Sequence, residues 1–144
     1  REALAGAIDA HGARRGPPAI VTIHSFTPVW RGAARAVEIG ILHDDDAGLA
    51  DAMLRAGGDG GGLVVRRNEP YGPEDGVTHT LREHALPRGL ANVMIEIRND
   101  LIRTPDDVRT MAGRLAGWLT AAHGEAGGGN ARERDMPGKD MARG

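Results

Sequence analysis

The sequence contains no cysteine, so disulfides and cysteine-ligated metals are excluded, and any metal site would have to use His, Asp or Glu. Aromatic residues make up only 3% of the 144 residues against 40% hydrophobic residues, so a core must consist mainly of Ala, Val, Leu and Ile. Lysine occurs once, at Lys139, and the formal net charge is −2. The absence of a basic excess argues against a general nucleic-acid-binding surface.

No apolar run approaches the length of a transmembrane helix, and no signal peptide opens the sequence. We therefore expect a soluble, cytoplasmic protein. The length suits one domain, which we place at residues 1–123. Residues 124–144 are rich in glycine and charge and have almost no large apolar side chain, so we expect a disordered tail there.

Helical and strand patterns alternate along the chain. The predicted helices are 1–10, 46–56, 77–86 and 106–123, and the predicted strands are 19–23, 37–42, 63–66 and 92–98. The longer intervening segments, 12–18, 25–35, 57–62 and 68–76, are predicted loops. The apolar stripe of the last helix consists of Val108, Met111, Leu115 and Leu119. This alternation predicts an α/β fold with a layered sheet flanked by helices.

Glu96 lies within a strand of otherwise apolar character, where period-two alternation puts it on the same face as Met94 and Arg98. A carboxylate there is costly unless it is paired or used. It forms an ion pair with Arg98 or lies on the wet face of an edge strand, or it acts as a general base whose pKa is tuned by burial and a nearby cation. The sequence leaves the structural and the functional alternatives open.

Other polar residues also lie near predicted strand ends, where ligands of α/β sheets tend to bind. His24 directly follows the strand at 19–23 and is well placed to bind a metal or to transfer a proton. A hydrogen-bonded structural histidine is nevertheless the commoner case. Arg31 and Arg35 flank Gly32 and could bind a carboxylate bidentately, although surface charge is commoner. We expect His24, Asn68 and Glu96 to converge at one rim of the sheet.

Three segments, taken in order, resemble the successive motifs of the N-formylglutamate amidohydrolase family. These are His24-Ser25-Phe26-Thr27-Pro28, Asn68-Glu69-Pro70-Tyr71, and Ile95-Glu96-Ile97-Arg98-Asn99-Asp100-Leu101-Ile102. Each motif is weak alone, whereas the series is specific and covers roughly residues 1–120.

The resemblance implies a mixed α/β sheet of the zinc carboxypeptidase (phosphorylase/hydrolase-like) type and a zinc-dependent amidohydrolase. It implies that His24 is a zinc ligand and Glu96 the general base. Candidates for binding the carboxylates or the oxyanion of an N-acyl amino acid are Arg35, Asn68, Tyr71 and Arg98. The expected products are formate and glutamate when the substrate is N-formylglutamate.

The family takes a histidine and an acidic metal ligand from a segment upstream of the first motif, and this sequence starts after that segment. A catalytic zinc ion normally has three protein ligands. We therefore expect a fold that is incomplete at its N-terminus and a zinc site that this chain does not complete. The alternative is a non-catalytic, truncated α/β module that keeps only carboxylate binding or a partner surface.

Overall fold

The computed structural model describes residues 2–132, with side chains described as far as residue 125. Its α-helices are α1 (Glu2–Arg15), α2 (Gly48–Gly57) and α3 (Pro105–Arg132). Its strands are β1 (Ile20–Phe26), β2 (Val29–Trp30), β3 (Ala33–Ala34), β4 (Ile39–Leu42), β5 (Val65–Arg67) and β6 (Asn92–Arg98). Short 3-10 turns cover Gly60–Gly62, Pro73–Asp75, Leu86–Arg88 and Asn99–Leu101, and a π-helical turn covers Leu81–Ala85.

Four strands form a mixed sheet in the order β1-β6-β4-β5. Strand β6 runs parallel to β1 and antiparallel to β4, which in turn runs parallel to β5. The two remaining strands, β2 and β3, form a separate antiparallel hairpin. The predicted α/β fold with a mixed sheet flanked by helices is confirmed.

The main core lies on one face of the sheet, where the alternating apolar residues of β4 and β6 meet α2 and α3. Its buried members include Ile39, Ile41, Val93, Ile95, Ile97, Leu49, Met53, Met111 and Leu115. The predicted alternation of β6 is therefore confirmed for this face. Val108 is an exception to the predicted stripe of α3, because it is 48% exposed. Spacing alone does not reveal where along a helix its apolar face meets the sheet.

The opposite face is covered by smaller clusters. Ile8 of α1 packs with Ala85 and Leu90. Leu42 of β4 and Met94 of β6 pack with residues of the connection between β5 and β6, namely Leu81, Tyr71 and Val77. The cover is contributed by α1 and by the turns between β5 and β6, and His24 and Glu96 face this side.

Several predicted boundaries are wrong. Helix α1 continues through Gly12 to Arg15, since a glycine inside a helix costs only about 1 kcal/mol and does not end it. The predicted loop 25–35 contains the end of β1 and the β2–β3 hairpin. Arg31 and Gly32 both have positive φ, 50° and 83°, as a two-residue type I′ hairpin turn requires.

Other elements begin or end differently from the prediction. The predicted helix 77–86 is replaced by the π-helical turn and a 3-10 turn that contains Pro87, which has no N–H to continue a helix. Strand β5 is shifted to Val65–Arg67. Helix α3 continues past residue 123 to Arg132, and the rest of the predicted tail, 133–144, lies outside the described residues. No helix among the described residues is long and apolar enough to cross a membrane.

Gly40 of β4 allows the connection after β5 to fold back across the sheet. A Cβ atom at this position would overlap the carbonyl oxygen of Glu69 and lie 2.9 Å from Cδ1 of Leu42. The neighbouring residue Asn68 is held by its own N–H, which donates to the carbonyl of Ile41 at 3.1 Å. The close approach of the Glu69 backbone therefore depends on glycine at residue 40, which has no side chain.

We expect Gly40→Ala to lower the free energy of unfolding by about 1–3 kcal/mol, because the methyl group meets backbone that cannot move without displacing the segment 68–71. Gly113→Ala in α3 is the matched control, since a Cβ there has no neighbour within 4 Å. The control should leave stability unchanged or raise it by up to about 1 kcal/mol. Chemical denaturation measures both, and equal stability of the two variants would contradict the close approach.

Candidate active site

Glu96 lies in the interior of β6, a central strand of the four-stranded sheet, with His24 of β1 on one side and Gly40 of β4 on the other. Residues paired across strands point to the same face, so His24 and Glu96 share the face opposite the main core. Glu96 is only 4% exposed. Its Oε2 atom is buried and has no hydrogen-bond partner among the described residues. A carboxylate that is buried without a partner is costly, which makes Glu96 the most unusual group in the sheet.

Burial raises the pKa of the Glu96 carboxyl above its ordinary value. The charges of His24 and Arg35 act in the opposite direction and lower this pKa, but the effect of burial is larger. A carboxylate with a raised pKa, close to two groups that carry or can carry positive charge, is suited to accept a proton during a reaction.

Arg35 is the cation that approaches this carboxylate from the segment between β3 and β4. Its guanidinium carbon lies 5.4 Å from the ring centre of Phe26, 5.3 Å from that of Trp30 and 5.1 Å from that of Tyr71. These three are among the four aromatic residues of the whole sequence. No carboxylate among the described residues forms an ion pair with Arg35. The Arg35 side chain donates a hydrogen bond to the carbonyl of Thr27 at 3.4 Å.

Sequence reasoning identified Arg35 and Tyr71 but missed Phe26 and Trp30. Phe26 is buried, whereas Trp30 is 54% exposed on the hairpin and also stacks on Arg31 at 5.8 Å. A usable signal existed, because a sequence with four aromatic residues places two of them within nine residues of Arg35. We call Phe26, Trp30 and Tyr71 the aromatic cage.

Arg98 does not pair with Glu96, so the ion-pair alternative for Glu96 is wrong. Its guanidinium binds Asp100 at 2.7 Å and Glu38 at 3.0 Å. The turn after β6 brings Asp100 back towards Arg98, and Glu38 lies directly before β4, the neighbour of β6. The bond to Arg98 lowers the pKa of the Asp100 carboxyl, and the bond to Asp100 raises that of Arg98. Glu96 is thus left without a salt bridge from its own strand.

We predicted that His24, Asn68 and Glu96 converge at one rim of the sheet. His24 and Glu96 are paired inside the sheet rather than at strand ends, and Asn68 follows Arg67, which lies at the level of Ile41 and Ile95. Because β4 and β5 run antiparallel to β6, residues that follow β5 lie near the beginning of β6. The side-chain Oδ1 of Asn68 accepts the N–H of His43 at 2.9 Å. The segment reaches the level of Glu96 through the carbonyl of Glu69, which lies against Gly40. The site is therefore on a face of the sheet.

His24 lies inside β1, not after it, and is exposed. No group of three or more His, Asp or Glu side chains among the described residues is arranged to hold a metal ion. His24 and Glu96 together fall short of the three protein ligands of a catalytic zinc site. The described residues alone therefore do not fit a bound zinc ion.

Comparisons with known proteins point to one family. The family model described as N-formylglutamate amidohydrolase matches residues 1–103. A crystal structure of a gene product from Agrobacterium tumefaciens is similar over 87% of this chain, with 55% sequence identity and a TM-score of 0.80. This chain covers 50% of that protein's chain. The comparison with curated proteins found no match.

A first prediction from the site concerns stability and pH. A raised folded-state pKa means that Glu96 stabilises the fold when it is protonated, and that this contribution is lost as pH rises through the folded-state value. Glu96→Gln cannot ionise, so we expect it to melt at a higher temperature than the wild type at pH 8. The difference should shrink as pH falls to the ordinary carboxyl range. Thermal melts from pH 4 to 8 measure this, and a wild type that is more stable at pH 8 would indicate an ion pair that we have missed.

A second prediction concerns metal. Because the described residues lack a three-ligand cluster, we expect the 144-residue chain to retain much less than one equivalent of zinc after dialysis. Elemental analysis of the dialysed protein measures the zinc content. His24→Ala should lower any residual binding, whereas His11→Ala, at an exposed position of α1, is the matched control. Stoichiometric zinc that survives dialysis would show a complete ligand set in this chain.

Proposed function

This chain belongs to the N-formylglutamate amidohydrolase family, and on that premise we propose that it hydrolyses the amide bond of an N-acyl amino acid. N-formylglutamate is the proposed substrate, and formate and glutamate are the products. The chain spans about half the length of the solved relative to which it is similar. The proposal concerns the part of the site that these residues form. The proposed binding partner of the chain is a small molecule.

The buried Glu96 carboxylate is the observation that supports the proposal most strongly. Its Oε2 is buried without a hydrogen-bond partner among the described residues, and its ordinary structural partner, Arg98, is engaged elsewhere. Carboxyl groups that are perturbed by burial and by a nearby cation occur preferentially at functional sites. We assign to Glu96 the role of general base.

The reaction needs one proton to be moved. Glu96 takes a proton from a water molecule while the water oxygen bonds to the acyl carbon. The same carboxyl group then donates this proton to the amide nitrogen as the carbon–nitrogen bond breaks. Formic acid leaves with the oxygen and one hydrogen of the water, and the amine leaves with the transferred proton. The acid then ionises to formate and its proton passes to the amine, so atoms and charge balance.

Arg35 is proposed to bind a carboxylate of the substrate. A guanidinium binds carboxylates bidentately, and that of Arg35 acts on Glu96 through its charge but forms no ion pair with a carboxylate among the described residues. Stacking on the aromatic cage holds the group without occupying the N–H edge that a carboxylate needs. Tyr71 borders the same place through its ring. Asn68 can offer only its side-chain NH2 group, because its Oδ1 is already bonded to His43.

A second candidate function is a module that binds carboxylates without catalysis. The observation that favours it is the lack of a three-ligand metal cluster among the described residues. Under either candidate Arg35 keeps its role, and only the role of Glu96 differs. Zinc, with His24 as one of its ligands, is part of the first candidate, but no step above depends on it.

We expect Glu96→Gln to reduce formate release from N-formylglutamate by about 100- to 10,000-fold while binding of the substrate changes little, because the amide keeps the shape and loses the basic oxygen. Formate release is measured with zinc supplied, and binding is measured by calorimetry. Asp45→Asn, at an exposed position, is the control for loss of an acidic residue and should match the wild type.

Three other outcomes are informative. Formate release that Glu96→Gln does not affect would overturn the assignment of the base. Binding without any formate release by the wild type would favour the non-catalytic module. The absence of binding would overturn both candidates.

A further inference from the structure

Arg98 makes more contacts than its ion pairs require. Besides Asp100 and Glu38, its guanidinium donates from Nη1 to the backbone carbonyl of Arg35 at 3.1 Å. The side chain of Arg98 is only 16% exposed. A guanidinium has five N–H groups in a fixed plane, and Arg98 directs them to three different residues. This leaves little of the group for a substrate.

The contact to Arg35 joins two parts of the proposed site. Arg98 lies two residues after Glu96 on the same strand and on the same face. Its backbone N–H also donates to the carbonyl of Glu38 at 2.9 Å. The segment from Arg35 to Glu38 is therefore attached to the strand of Glu96 at both its ends, once by a side chain and once by backbone.

Arg35 itself is held from the other direction by the hairpin. Its backbone N–H donates to the carbonyl of Pro28 at 2.8 Å. Its side chain rests on the aromatic cage, of which Trp30 is largely exposed. Stacking leaves a guanidinium free to slide over the rings. The hydrogen bond from the Arg98 side chain to the backbone carbonyl of Arg35 is the contact that fixes Arg35 relative to β6.

We propose that Arg98 is a positioning residue that holds Arg35 beside Glu96, and that it does not itself contact the substrate. This rests on the proposed function in so far as Arg35 binds the substrate carboxylate. The role needs an arginine, because a lysine ammonium keeps the charge for Glu38 and Asp100 but cannot reach three acceptors in one plane. Arg98→Lys therefore separates the positioning role from the charge.

The first measurement needs no substrate. The guanidinium carbon of Arg35 lies within 5.4 Å of three aromatic ring centres, so the NMR signals of the Arg35 Nε–H and of the methylene bonded to Nε are displaced by ring currents. We expect Arg98→Lys to move these signals towards the values of an exposed arginine in a protein that remains folded. Arg109→Lys, which alters an exposed arginine paired with Asp106 in α3, is the matched control and should leave them unchanged. Unchanged Arg35 signals in Arg98→Lys would overturn the proposal.

The second measurement is a double-mutant cycle on the binding of N-formylglutamate. Arg35→Met should weaken binding by about 10- to 100-fold, as expected when a charged hydrogen-bonded pair is lost. Arg98→Lys should weaken it by about fivefold. If Arg98 acts through Arg35, the double variant should bind as weakly as Arg35→Met alone, because nothing is left to position. Losses that multiply would show that Arg98 contacts the substrate directly, and would overturn the proposal.

The two measurements keep the proposals distinguishable. If the chain does not bind N-formylglutamate, the proposed function fails, while displaced Arg35 signals in Arg98→Lys still support the positioning role. If Arg98→Lys does not fold, Glu38→Gln serves as the second variant, since it removes the negative charge that faces Arg98 and leaves the guanidinium in place. It should displace the Arg35 signals in the same direction by a smaller amount, and no displacement would count against the role.

Discussion

The arrangement of the site depends on the burial of one carboxylate in a central strand. Glu96 is placed between an imidazole and a glycine by the register of three strands, and its Oε2 has no hydrogen-bond partner among the described residues. Burial of an unpaired carboxylate opposes folding, so the surrounding apolar contacts must offset it. The alternating residues of β6 make that possible, since Ile95 and Ile97 pack into the main core on the other face. Stability and chemistry are thus divided between the two faces of one strand.

The sequence alone was sufficient to predict that β6 has one apolar face and one face that carries Glu96. Period-two alternation identified the two faces of β6, and a carboxylate within such a strand identified the residue of interest. It could not decide what Glu96 contacts. The ion pair and the general base differ in where the Arg98 side chain points, and the edge-strand alternative differs in the position of β6 in the sheet. The partners that resolved this question include Glu38, which is 60 residues away along the chain. Contacts of such separation follow from the packing of strands and leave no periodic signal.

The missed elements have a similar explanation. Pro28 and Gly32 predicted a loop, yet both are compatible with a tight hairpin, in which Gly32 occupies a turn position with positive φ. The direction of β4 and β5 relative to β6 is likewise invisible in the sequence. That direction places Asn68 beside the first half of β6, and the paired residues His24 and Glu96 lie on a face of the sheet. Element types were therefore easier to predict than their relative orientation.

The aromatic cage has a consequence for optical measurements on this protein. The main core is aliphatic, and three of the four aromatic side chains of the sequence surround Arg35. The fourth, Trp118, packs on the core at the interface of α2 and α3. Tyrosine absorbance will consequently report on the surroundings of Arg35 through Tyr71, whereas near-ultraviolet circular dichroism combines this region with Trp118. A change in these signals can mark a local rearrangement of the hairpin while the sheet and its helices stay intact.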